Sequence, residues 1–166
     1  MSGDTPAGGA DRRTSGTEVF EYALIRVVPR VERGEAINAG VILYCKGHRY
    51  LCTRIELDEA RLRALDPRAD LDVVRAALHA FEKACAEGPL AGRPLGERFR
   101  WLTAPRSTVV QPGPVHSGLT ADPDAELTHL FDTLVRALPP PGAGGARGCR
   151  EKNERLRSQN DWIKIL

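Results

Sequence analysis

Residues 22–44 read YALIRVVPRVERGEAINAGVILY. Two apolar runs flank a polar loop at 29–38. Runs this rich in Ile, Val and Leu, bounded by Pro, Gly and charged residues, predict β-strands. Neither run alternates apolar with polar, so both strands are expected to be buried on both faces. The first is predicted over Val19–Val28 and the second over Ala39–Cys45. Arg26 interrupts the first run, and Arg30, Arg33, Glu35 and Asn38 crowd the loop.

Working outward, Lys46-Gly47-His48-Arg49 predicts a hairpin turn. Tyr50–Leu57 then alternates, with Leu51, Ile55 and Leu57 opposite Cys52, Arg54 and Glu56, which predicts a half-exposed third strand. The period changes at Asp58, an N-cap with Leu57 and Leu62 placed for a hydrophobic staple. Leu65 continues that face and Pro67 ends the helix. Asp70 opens a second helix with Val74, Leu78, Phe81 and Cys85 on one stripe, stopped by Gly88-Pro89. Leu95, Phe99 and Leu102 predict a short third helix. Arg106–Gln111 predicts a short fourth strand closed by Pro112-Gly113-Pro114. Asp122-Pro123 opens a last helix with Pro at its first position and Leu127, Leu130, Phe131, Leu134, Val135 and Leu138 as its apolar stripe. The order β-β-β-α-α-α-β-α predicts an α+β fold, a mostly antiparallel sheet of about four strands with helices packed on one face.

Residues 1–17 are small, polar and Gly-rich, and read as a disordered tail. One domain is expected over 18–138, followed by a Pro/Gly linker at 139–149. Composition shifts again over 150–166, which hold two of the chain's four Lys and two of its three Asn. That segment reads as an appended helix or a non-native, shifted-frame extension, and no function is assigned to it.

A net charge of +2 argues against a dedicated nucleic-acid binder. No apolar run approaches a membrane span. The first residues lack the apolar core of a secretory signal, and the four Cys are scattered, so a cytoplasmic location is expected.

Three groups of residues are candidates for chemistry. Arg26 shares a strand face with Tyr22, Leu24 and Val28. A buried guanidinium must be paired, and Glu35 is the natural partner, returning over the sheet. Such a pair is either architectural or part of a ligand cleft, and Arg26→Ala is then expected to cost about 3 kcal/mol by stranding a buried acid. Arg30, Arg33 and Glu35, with Asn38, form either a phosphate- or carboxylate-binding loop or a loop bonded to itself. Arg106, Ser107, Thr108 and Gln111 are a second polar concentration, suited to an anion or to capping a helix. His116 is a further ligand-binding candidate, but with Ser117 it does not make a nucleophile pair, because neighbours on an extended chain point to opposite sides. Cys45, His48 and Cys52 lack a fourth zinc ligand nearby and read as apolar fillers with a turn residue. Trp101 is expected to pack on the sheet. No phosphate-loop, dinucleotide or zinc-hydrolase motif occurs, so neither a metal nor a cofactor is expected.

YALIRVVPRVERGEAINAGVILYC, then RIELDEARLRALDP, then RFRWLTAPRSTVVQPGPVHSGL, resembles in order the bacterial family of unknown function DUF3037. The resemblance covers about Tyr22 to Leu138 and implies no established activity. Members are often encoded beside a kinase-like protein of the HipA type, which implies a HipA-like kinase as a partner. Two functions are therefore carried forward. One is a non-enzymatic accessory or interaction module. The other is a small enzyme or an anion- or nucleotide-binding domain whose site joins Arg26, Arg30, Arg33, Glu35 and Asn38 with Arg106, Ser107, Thr108 and Gln111.

Overall fold

The computed structural model describes residues 16–86 and 90–136. Most of the tail expected at 1–17, the linker at 139–149, the segment at 150–166, the Gly88-Pro89 stop and Leu138 lie outside the described residues.

The elements follow the predicted order: β1 Glu18–Val27, β2 Ile37–Cys45, β3 Tyr50–Ile55, α1 Glu59–Leu65, α2 Leu71–Ala86, α3 Leu95–Leu102, β4 Val110–Thr120 and α4 Pro123–Leu134. The strands form one four-stranded sheet in the order β3-β2-β1-β4, and all three pairings are antiparallel. The fold is α+β. β1 is hydrogen-bonded on both sides, which fits a strand with apolar residues on both faces.

The helices do not all lie on one face. Ala23, Ile25 and Val27 of β1 enter one core with Leu62 of α1, Val74, Leu78 and Phe81 of α2, and Phe99 and Leu102 of α3. Phe20, with Tyr22 and Leu24 at its margin, joins Val41, Leu43 and Cys45 in a second core beneath Leu127 and Phe131 of α4. Successive β1 residues thus alternate between two layers. Strands apolar on both faces need cover on both faces, and α4, last in the chain, supplies the second layer.

Local signals set the helix starts. Asp58 accepts the Arg61 backbone N–H at 3.0 Å and opens α1. Asp122 accepts the N–H groups of Asp124 and Ala125, with Pro123 beginning the helix behind it. The α2 stripe of Leu71, Val74, Leu78, Phe81 and Cys85 is buried throughout, each large side chain contributing about 2 kcal/mol.

β4 departs from expectation. It starts at Val110 rather than Arg106 and runs on through Pro112-Gly113-Pro114 to Thr120. Proline lacks the N–H that an interior strand needs on both sides, but an edge strand needs only one side. The pairing with β1 shifts between Ala23 and Ile25, where Gly113 and Pro114 stand opposite Leu24 as a bulge. A second shift opposes Ile25 to Gly40 and Arg26 to Asn38, leaving Ala39 as the extra residue of β2.

Gly40 is fixed by crowding. A Cβ there would lie 2.7 Å from the Arg54 carbonyl oxygen and 2.9 Å from Ile55 Cγ1. The backbone oxygen belongs to a paired strand and has nowhere to move. Gly40→Ala is expected to destabilise the domain by about 2 kcal/mol in urea unfolding. At Gly92 no described atom stands within 4 Å of such a Cβ, and the same change there is expected to alter stability by less than about 0.5 kcal/mol.

Candidate functional site

Arg26 does not meet Glu35. The loop closes on itself instead of returning over the sheet. Arg33 N–H donates to the Arg30 carbonyl at 3.1 Å, and Gly34 follows at φ 68°, a conformation that glycine adopts freely. This turn sets Glu35 beside Arg33, whose Nε and Nη2 donate to its two oxygens at 2.7 and 2.9 Å. The pair is exposed, and it holds the Glu35 carboxyl below its ordinary range.

Arg26 is half-buried and forms no ion pair with any described residue, and its Nε has no hydrogen-bond partner among them. It is not fully buried as expected, because α4 lies over β2 and β3. The β1–β4 part of that sheet face is therefore less completely covered. Arg26 stands there in register between Gln111 of β4 and Asn38 of β2. Asn38 is turned toward α4, and its side-chain amide donates to the Leu134 carbonyl at 2.9 Å. Arg61 Nη1 donates to the next carbonyl, Val135, at 3.3 Å. These two side chains satisfy carbonyls that the end of α4 leaves open.

The remaining candidates are dispersed. Arg30 and Arg33 line a cleft of about 490 Å³ with Leu65, Asp66, Pro67 and Arg68. Arg30 Nε donates to Asp66 Oδ2 at 3.1 Å, and Asp66 Oδ1 accepts the Arg68 backbone N–H at the same distance. Arg106 lies over the Trp101 ring at 5.0 Å and donates to the Trp101 carbonyl at 2.7 Å. Trp101 is 46% exposed rather than packed on the sheet. Thr108 Oγ1 donates to the Val110 carbonyl at 2.6 Å, and Ser107 is exposed. His116 stacks on Tyr22, its partner across the β1–β4 pairing, with ring centroids 5.3 Å apart. The structure thus brings Arg26, Asn38 and Gln111 into one row and Arg30 with Arg33 into one cleft, whose lining excludes residues 106–111.

Cys45 is buried, and its thiol donates to the Val19 carbonyl. Burial pushes the Cys85 thiol up to about 11, so it stays protonated at neutral pH. Neither has the environment of an activated nucleophile.

Two charges carry more structure than their sequence positions suggest. Asp66, after α1, anchors the 29–36 loop through Arg30. Arg98 is 1% exposed inside α3. Its signal was legible: with Leu95, Phe99 and Leu102 it falls at positions i, i+3, i+4 and i+7, a charge on the apolar stripe.

Two outcomes follow. Arg26→Leu is expected to change stability by less than about 1 kcal/mol in chemical unfolding, since no acid is stranded by it. Asp66 behaves differently. Its carboxyl is held below the ordinary aspartate range, first by the Arg68 N–H and then by Arg30. A lowered folded value means that the unfolded chain binds the proton more readily. The stabilisation is therefore fully present above about pH 4 and is lost as pH falls through the folded value. Asp66→Asn is expected to flatten stability against pH over that acid range and to leave the slope above pH about 5 unchanged.

Neither the curated proteins nor the solved structures contain a match to this sequence. A family model described as "Protein of unknown function (DUF3037)" matches residues 22–135, from the middle of β1 to the end of α4. All four strands and all four helices fall wholly or largely within the matched span, and the chain belongs to the DUF3037 family.

Proposed function

We propose that this chain is a non-enzymatic accessory module of the bacterial cytoplasm, which binds a partner protein along the free edge of β4. The proposed partner is a HipA-like kinase, the neighbour that the family resemblance implies. The observation that carries the reading is the character of β4 itself. It is an edge strand of 11 residues, VQPGPVHSGLT, without a charged side chain. Exposed edges are usually short, charged or covered, because their unpaired N–H and C=O groups recruit other strands. The opposite edge follows that rule: β3 has six residues and carries Arg54.

The two halves of β4 differ. Pro112 and Pro114 remove donors from the first half. Val115–Thr120 contains no proline, and every second backbone group there faces away from β1. Leu119 is 68% exposed, and Val19, opposite it on β1, is 58% exposed. Val115, on the same sheet face, is also exposed. An extended partner segment with apolar residues at alternate positions would extend the sheet and cover this row.

The alternative, an enzyme or anion-binding domain built on the 29–38 loop and residues 106–111, has less support. Arg30 is engaged by Asp66 and Arg33 by Glu35, which leaves Arg68 as the one lining cation of that cleft without a carboxylate within ion-pairing distance among the described residues.

Co-expression with the kinase-like neighbour is expected to give a complex that co-elutes in gel filtration at micromolar concentration. Val115→Lys with Leu119→Lys is expected to weaken it by roughly a hundredfold, because two charges replace apolar contacts beside the added strand. The same variant should keep the native circular dichroism and melting behaviour. Separate elution of the two native proteins, or a complex indifferent to both lysines, sinks the reading. A dimer of this chain alone that the lysines dissociate would instead identify the occupant as a second copy.

A further inference from the structure

Arg98 is buried to 1% exposure, yet its Nε has no hydrogen-bond partner among the described residues. Its Nη2 donates to the carbonyls of Cys85 and Ala86, at the end of α2. Those bonds hold the guanidinium in place without neutralising it. A buried charge with an idle N–H is costly unless an acceptor reaches it.

The surroundings repeat that demand. Arg98 lines a pocket of about 560 Å³ together with Lys46 and Arg49 from the β2–β3 turn, Arg93 before α3, and Tyr44 at the end of β2. Four cations meet there, and no acidic side chain is among the described lining residues, although the Glu18 carboxyl packs against Gly47 of the same turn. Glu97 reaches Arg93 at 3.7 Å, but both groups are more than half exposed, so the attraction is weak. The start of α3 also opens here. Pro94 holds the N-cap position and offers no side-chain acceptor, which leaves the first N–H groups of the helix uncapped. Gly96 lets the Tyr44 hydroxyl approach that end closely: the residue is buried, and a Cβ there would stand 2.9 Å from the hydroxyl. Uncapped helix N–H groups, guanidinium forks and an ammonium are the recognised chemistry of phosphate binding.

We propose that this pocket binds an organic oligophosphate of nucleoside diphosphate size. One phosphate would leave most of four cations unanswered, and the volume lies within the range of small-molecule sites. Ala91, Pro94 and Leu95 provide apolar wall for the organic part, while Arg98 and the α3 N-terminus take the phosphates. The site is independent of the β4 edge and of the 29–38 loop.

Calorimetric titration of the full chain with ADP, at fixed physiological ionic strength, tests this. Saturable binding is expected, with pyrophosphate weaker than ADP and orthophosphate weaker still. Lys46→Ala with Arg49→Asn should weaken ADP by roughly tenfold or more. Asparagine suits position 49, where φ is 50°. Both residues are exposed, so this variant keeps the test sound even if Arg98→Met fails to fold. Arg30→Ala with Arg68→Ala, in the other cleft, should leave ADP binding unchanged. The proposal is overturned if ADP gives no saturable heat at millimolar concentration. It is equally overturned if citrate binds as tightly as ADP, or if the two double variants weaken binding alike.

Discussion

β1 must be covered on both faces at once, and the rest of the fold follows from that demand. Ala23, Ile25 and Val27 cannot be left in water, and neither can Phe20 or Leu24 on the other side. Three helices packed on one face leave the second exposed. The chain therefore cannot end after α3. It returns through β4, crosses to the far face and lays α4 over β2. Phe131 is the keystone of that layer, with Arg54 and Arg136 over its ring at 5.7 and 5.2 Å. The two cores share the sheet as a common wall, so a change within β2, such as the Gly40 contact, is felt by both.

Among the described residues the second layer is a single 12-residue helix, and its narrowness matters for function. One helix cannot cover four strands. It sits chiefly over β2 and β3, so among the described residues the cover thins toward β4 and the outer side of β1. That margin is where Arg26 finds solvent and where His116 stacks on Tyr22. On the opposite face the three helices also stop short of the outer edge, which leaves Val19, Val115 and Leu119 exposed. The β4 edge is therefore available because both layers end before they reach it.

Several of the positive charges find an acidic partner, near or far in the chain. Arg33 finds Glu35 across a turn, and Arg136 finds Asp132 one helical turn away together with Glu56 across the fold. Such exposed pairs are screened by water and specify little. Arg98 is the most deeply buried of them. It is held by two backbone carbonyls, lines a pocket with three other cations, and has an Nε without a partner among the described residues. An arrangement that stabilises the fold poorly is better explained by a ligand than by architecture, and the basic pocket at the β2–β3 turn gives that ligand a place.

Read alone, the sequence determined the eight elements, their order, the two-sided burial of the first two strands and the caps at Asp58 and Asp122. These rest on local periodicity and on side chain-to-backbone bonds between near neighbours, which a linear string displays. It also held the sign of the second helical layer, in strands apolar on both faces, although helices on one face were expected from it. The length of β4 was hidden because Pro112-Gly113-Pro114 reads as a stop, and only an edge position, a property of the whole sheet, lets a strand pass through it. The Arg26–Glu35 pairing was misjudged for a similar reason. Whether a charge in a strand is buried depends on how far a helix from the other end of the chain reaches across the sheet. The basic pocket joins residues 44–49 to residues 91–98 through the packing of α3 on β2, a contact between segments far apart in the chain that no spacing rule records. Tertiary structure decided those three matters because each depends on which surfaces remain after the two cores have closed.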